Sequence, residues 1–409
     1  MRKSSVLLAL GLVSFNSYAL EADFSGLLDL RLGHSHGLDS YVSGGQGKLQ
    51  HSPGTRLSLG QASLISDLTL TDQINLIGVL NGFSDEDKSR LGVTELYLRY
   101  RGLPDDSGFR QGLKAGLFYP AISLENRARA WSTANTLTPS TMNSWIGEEL
   151  RATGLEYTAE WLGKFRDKSY DLKLNGTVYF NNDTAGSMLS WHGWTQSSRQ
   201  TVLGEELEIP YFPALDNDLS AQARDSDPFH EEDGKPGYMV SLELNLERRR
   251  QLQLGYYDSN ANPYSETNGQ YSWHTKFLFA GINWPIDRNW SLQGQIMSGD
   301  TLMQSPQRVD VVNNTYQSAY LSLGWKSGRK RLNARVEEFS VTDRDNTYQD
   351  NNKEYGKALT LSYRYQFARQ WFMLGEFSWL DSHRPARWYQ GEAVDQVERL
   401  SQLGVRYYF

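Results

Sequence analysis

Alternation is the feature that most limits what this chain can become. From Tyr170 to Phe180 one parity reads Tyr170, Leu172, Leu174, Gly176, Val178, Phe180 and the other Asp171, Lys173, Asn175, Thr177, Tyr179. A period of two belongs to a β-strand, and here it makes one apolar and one polar face. The pattern returns with Val240, Leu242, Leu244 and Leu246 against Ser241, Glu243, Asn245 and Glu247, and with Leu359, Leu361 and Tyr363 against Thr360, Ser362 and Arg364. It closes the chain as Leu403, Val405, Tyr407, Phe409. Followed along the sequence, it predicts sixteen strands, starting near residues 24, 55, 73, 91, 109, 149, 169, 237, 251, 272, 289, 315, 329, 356, 370 and 396.

What separates the strands is sorted by length. Short turns fall at Thr71 and Asp72, Pro104 to Gly108, Gly163 to Lys168, Arg248 to Arg250, Ile286 to Arg288, Ser327 and Gly328, and Ala368 and Arg369. Between them lie long polar connections at 35–53, 82–90, 120–148, 182–236, 258–271, 300–314, 343–355 and 381–395. Short and long alternate, with both chain ends on the short-turn side. A β-sandwich also buries one face of each strand, but it has no reason to sort its loops by side. A closed antiparallel β-barrel spanning a membrane does, and closure removes the unpaired strand edges that hydrocarbon would penalise. The expected fold is therefore all-β: a transmembrane barrel of about sixteen strands.

The first residues supply a compartment. Arg2 and Lys3, the apolar stretch Val6 to Val13, and the small-residue ending Ser17, Tyr18, Ala19 describe a cleavable export signal over residues 1–19, with the barrel over 20–409. After Ala19 no run of 18 apolar residues occurs, which excludes a spanning helix. The mature part carries 39 basic against 48 acidic residues, a poor balance for binding nucleic acid. Aromatic residues make up 12% of the chain. Many, including Tyr100, Tyr119, Trp161, Phe180, Tyr256, Trp273, Trp290, Trp325, Trp371, Trp379 and Phe409, fall near strand ends on the apolar parity, as two interfacial girdles would.

The export signal, the absence of cysteine, the strand and loop order and the ending Gly404, Val405, Arg406, Tyr407, Tyr408, Phe409 together resemble a Gram-negative outer-membrane porin. The stretch Gly116 to Glu125 is similar to the approach to the third loop in phosphate- and polyphosphate-selective porins. The resemblance implies Sec-type export to the cell outer membrane and contact with membrane lipids and lipopolysaccharide. It also implies a homotrimer, and a terminal Phe409 read by the barrel-assembly machinery. It further implies that the third loop, 120–148, bends into the pore as a constriction, bringing Glu125, Arg127 and Arg129 toward the charged wall.

In the barrel reading the polar parity faces the lumen. Arg31, Glu95, Arg99, Lys114, Lys173, Arg331, Arg335 and Arg364 are the expected pore wall, with Lys276 on the same list. Both signs occur, so the wall favours neither anions nor cations outright, and stiffening ion pairs are an equal reading. The third loop is unusually apolar, with Trp131, Leu137, Met142, Trp145 and Ile146, and Thr138 with Pro139 predicts a helix start running through Trp145. A lid helix over the mouth is the other reading of that segment. The fourth loop, from 183 to 236, holds eleven acidic and three basic residues, and could bridge to lipopolysaccharide phosphates through divalent cations. Its Trp191, His192, Trp194, Tyr211 and Phe212 are expected to pack on the rim or across a neighbouring subunit.

No catalytic, cofactor-binding or metal-binding set emerges. His34 and His36 share a strand face but have no cysteine or nearby third ligand. The function expected is passive diffusion of small hydrophilic solutes through a wet lumen, not enzymatic chemistry. A barrel plugged by its own loops and used as a surface-binding scaffold, or a barrel-embedded hydrolase, are the rival readings.

Overall fold

The computed structural model describes residues 21–85, 88–247 and 249–409. The expected export signal, residues 1–19, lies outside them. Sixteen antiparallel strands form one closed barrel. They are β1 Glu21–His36, β2 Gly54–Thr71, β3 Ile74–Asp85, β4 Lys88–Arg101, β5 Phe109–Phe118, β6 Ala152–Trp161, β7 Tyr170–Phe180 and β8 Gly237–Leu246, then β9 Arg250–Asp258, β10 His274–Pro285, β11 Trp290–Gln304, β12 Asp310–Ser327, β13 Lys330–Asp343, β14 Glu354–Gln366, β15 Trp371–His383 and β16 Asp395–Tyr408. Each pairs with its sequence neighbours, and β1 pairs with β16 from Leu27 against Tyr408 to His36 against Arg399. No strand of the barrel keeps an open edge.

The faces are inverted relative to a water-soluble protein. On β7, Leu174 and Val178 are 40% and 48% exposed while Asn175 and Thr177 are 0% and 1% exposed. Apolar side chains point outward on every stretch of the wall, including Leu64, Leu96, Leu155, Leu242, Leu278, Leu321, Leu361 and Leu403. An apolar surface this continuous is far beyond what a monomer keeps in water, and is stable only against lipid. Tyr100, Trp290, Trp371 and Phe409 mark its short-turn border, and Phe180, Tyr238 and Tyr355 the other. Trp371 stacks on Tyr407 at 4.5 Å. Two expected girdle members belong elsewhere: Tyr119 and Trp273 are buried within the molecule. Lys276 also departs from its expected place, pointing outward beside Asp300 at 3.4 Å.

The short turns stand where the alternation puts them. Between β12 and β13, Gly328 adopts φ +54°, the left-handed value a two-residue hairpin needs at its first position. Two of the eight expected long loops are not long. The connections at 82–90 and 300–314 are mostly strand, because β3, β4, β11 and β12 run on past the apolar band as paired ladders. In such a stretch the outward parity turns polar while the inward one buries Met303, Val312 and Tyr316, so the apolar-outward alternation is lost.

Two long loops turn inward. The third carries helix α1, Thr141–Glu149, and the fourth carries α2, Ser187–Trp191, and every residue of both is buried. Helix α1 starts later than expected: its N-cap is Ser140, and Thr138 instead bonds Glu376 on the wall. Of the fourth loop's aromatics, Trp191, His192, Trp194 and Phe212 are buried within the chain, while Tyr211 stays exposed. Trp194 and Trp145 meet edge to face at 5.9 Å, and Trp145 does the same with Phe277 and Tyr316 at 5.7 and 5.5 Å.

Candidate channel lumen

The lumen wall is built from the polar parity, with charges placed by strand register. Asp29 takes both Arg31 at 2.8 Å and Arg406 at 2.7 Å. Lys114 pairs with Glu156 at 2.8 Å, Arg99 with Asp67 at 3.1 Å and Lys173 with Glu243 at 3.3 Å. Glu95 accepts the Tyr119 amide at 3.2 Å. Arg331 and Arg364 stand directly across from each other on β13 and β14, and Arg364 lies over the Phe372 ring at 4.0 Å. Near the short turns these groups meet water: the Arg99 and Asp67 side chains are 38% and 33% exposed.

The third loop is riveted to this wall. Glu125 binds Arg335 at 2.5 Å, and Arg335 also holds Glu337 at 2.8 Å and the Thr138 and Pro139 carbonyls at 2.9 Å. The first amide of α1, on Thr141, donates to Glu337 at 2.7 Å, and the Leu137 amide donates to Glu376 at 2.6 Å. Such contacts satisfy helix-end amides that burial would otherwise leave unpaired. Arg127 is exposed and donates to Gln251 at 2.7 Å. Arg129 is exposed too, and donates to the main-chain oxygens of Gly26 and Phe409. Thus Glu125 is fixed to the wall, while the two arginines reach the wetter part of the lumen.

Helix α1 hands over to the fourth loop through one carboxylate. Glu149 accepts from the amides of Gly186 at 3.2 Å and Met188 at 3.0 Å, from Ser187 Oγ at 3.1 Å, and from the Trp145 indole. Burial raises its pKa, and these donors oppose the rise.

Past α2 the loop crosses to the head of β14. Glu354 there is reached by Lys48 of the first long loop at 2.6 Å, by Arg384 of the last at 3.4 Å, and by the Trp194 amide at 3.1 Å. Lys48 also donates to the His192 carbonyl at 2.6 Å, and Arg384 to those of Ser190 and Trp191 at 2.9 and 2.8 Å. Burial lowers Lys48 to about 7 against the pull of Glu354, and burial with Lys48 beside it lowers His192 to about 3. Gly193 makes the approach feasible. Its φ is +73°, and a Cβ there would sit 1.7 Å from Glu354 Oε2.

With both loops in place the mid-height of the barrel is dry. Wall residues around the circumference, among them Arg31, Asn81, Asn175, Thr275, Ser318 and Ser378, are nearly or wholly inaccessible. An open passage would leave them wetted. None of Lys48, Glu149, Gly193, Glu354 and Arg384 was flagged by the sequence, because they come from separate loops and meet only in space.

A cation-type cluster lies farther out on the fourth loop. Among the described residues, Asp183, Glu231 and Asp233 offer oxygens within 4.8 Å of one another.

No family model and no curated protein matches the sequence. Solved structures do match in fold. The outer membrane channel DcaP of Acinetobacter baumannii aligns over 97% of this chain and 100% of its own at TM-score 0.56 and 10% identity. A loop L8 deletion mutant of OmpT, an outer membrane protein of Vibrio cholerae, aligns over 96% and 100% at 0.53 and 11%. The anion-selective porin of Comamonas acidovorans aligns over 95% and 100% at 0.52 and 11%. The chain therefore has the sixteen-strand fold of porin-type barrels.

Proposed function

We propose that this protein is a channel of the Gram-negative outer membrane, through which small hydrophilic solutes pass by passive diffusion. The carrying observation is a lumen lined by charges of both signs and wetted at its short-turn end, inside a wall whose outer face suits only lipid. Solvated mixed charge lets ions and dipolar solutes shed little hydration on entry, and the rate follows width and wall charge without bond chemistry. The fold neighbours described as a channel and a porin support the same reading. In it the short turns face the periplasm after export directed by residues 1–19. The long loops meet lipopolysaccharide, and Phe409 guides insertion by the assembly machinery.

Within that reading residues 120–148 form the constriction, with Glu125, Arg127 and Arg129 setting its charge. The wall residues Arg31, Glu95, Arg99, Lys114, Lys173, Arg331, Arg335 and Arg364 set its approach. A homotrimer is the assembly we propose, and a Vibrio cholerae OmpT neighbour is described in a trimer form. We assign no catalytic role and no cofactor. The dry mid-height favours a second reading, a plugged barrel that serves as a surface-binding scaffold. Planar-bilayer recording separates the two: stepwise currents on reconstitution are expected of the channel, and silence under all voltages and in all variants would leave the scaffold.

A further inference from the structure

We propose that residues 186–201 of the fourth loop are a displaceable plug, and that Glu354 is the latch that holds it. The inference rests on the channel reading above and adds its regulation.

The third and fourth loops are held in different ways. The third is anchored through wall carboxylates and Arg335 at its start, and through a capped helix. The fourth makes no strand pairing with the wall over 186–201, and its one bridge joins Gln196 to Leu49 of another loop. Lys48 and Arg384, from two other loops, converge on one wall carboxylate, Glu354, and grip the segment's carbonyls. The segment also meets the wall through Gln196 to Glu337, Trp194 Nε1 to the Ser340 carbonyl and Asn314 to Ser190, and it starts on Glu149.

Burial of this segment is incomplete in its polar pairing. Trp191 Nε1, Thr195 Oγ1, Gln196 Oε1 and Gln200 Oε1 are buried without a hydrogen-bond partner. Each such atom opposes burial and would regain water on leaving the lumen. Against this stand the burial of Trp191 and Trp194 and the ion pairs at Glu354. Opposed contributions of this kind make a two-state element, biased by whatever acts on the latch. Removing the segment would also uncover the polar wall groups it now covers, such as Arg31, whose Nη1 donates to Ser198 Oγ at 2.8 Å.

The test uses the full-length protein in planar bilayers, in three forms. Glu354→Gln removes the charge that Lys48 and Arg384 share. A Ser190→Cys, Asn314→Cys pair staples α2 to β12, where the native side chains lie 3.0 Å apart, in a chain without other cysteines. A third form lacks residues 187–200. We expect the parent to be mostly shut and Glu354→Gln to raise the open fraction by about tenfold, the effect of losing one charge-assisted hydrogen bond. The oxidised staple should be silent, and reductant should restore parental openings. Equal currents from the oxidised and reduced staple would overturn the plug while leaving the channel intact. Silence of the parent, of Glu354→Gln and of the deletion alike would remove the channel itself, and the plug with it.

Discussion

Arg335 shows how much one side chain can organise in this lumen. It is fully buried, bridges Glu125 of the third loop to Glu337 of its own strand, and caps two carbonyls. Arg335→Ala would leave two carboxylates without their counter-charge, a change that costs ~3–5 kcal/mol in buried pairs. Thermal unfolding in detergent should show it, with Arg335→Lys intermediate because an ammonium cannot fork between four acceptors. Asp183 offers a pH readout. Burial, with Glu231 and Asp233 nearby, raises its pKa from 3.8 to about 6. The folded loop thus holds a proton that the unfolded loop releases, so this corner gains stability as pH falls through about 6, fully so below 3.8, and loses it as pH rises again. Amide protection factors around residues 181–183 should rise on acidification, and Asp183→Asn should remove the pH step. An unchanged step in that variant would place the titration elsewhere.

At the scale of elements, alternation identified every barrel strand because each has lipid on one side and polar surroundings on the other. The same logic explains where it stopped. Above the apolar band β12 presents Asn313, Thr315 and Gln317 outward and buries Val312 and Tyr316 inward, so the apolar-outward signal is lost there. The start of α1 was misplaced because Thr138 and Ser140 are equally good caps locally, and only the distant Glu376 decides between them. The fourth loop's tryptophans announced that it packs. The destination of Trp194 depends on Trp145 and Tyr316 and that of Trp191 on Trp273, none of them near in sequence. Trp145 is the hub of that contact, 1% exposed among three aromatic rings. Trp145→Ala should cost ~3–5 kcal/mol, read as a lower unfolding temperature, with Trp145→Phe recovering part of it. Equal stability of the two variants would mean that the indole's bond to Glu149, not its bulk, holds the site.

For the molecule as a whole, the candidate permeation charges were legible as a list and not as an arrangement. The polar parity offered Arg31, Lys114 and Arg335 as wall residues, but nothing in spacing told that Arg31 and Arg335 are buried while Arg127 and Arg129 are exposed. If the latter two meet permeating ions, Arg127→Glu with Arg129→Glu should move the reversal potential of the Glu354→Gln channel under a salt gradient toward cation preference. No movement would take the third loop out of the ion path. One feature of the barrel also bears on how it is made. Strand β1 lies between β2 and β16, and a ribosome releases those neighbours hundreds of residues apart. Its second edge has nothing to bind until β16 has been made, so this wall cannot be zipped up in the order it is written. The nascent ribbon must be shepherded, greasy side and raw edge together, until its last rung arrives.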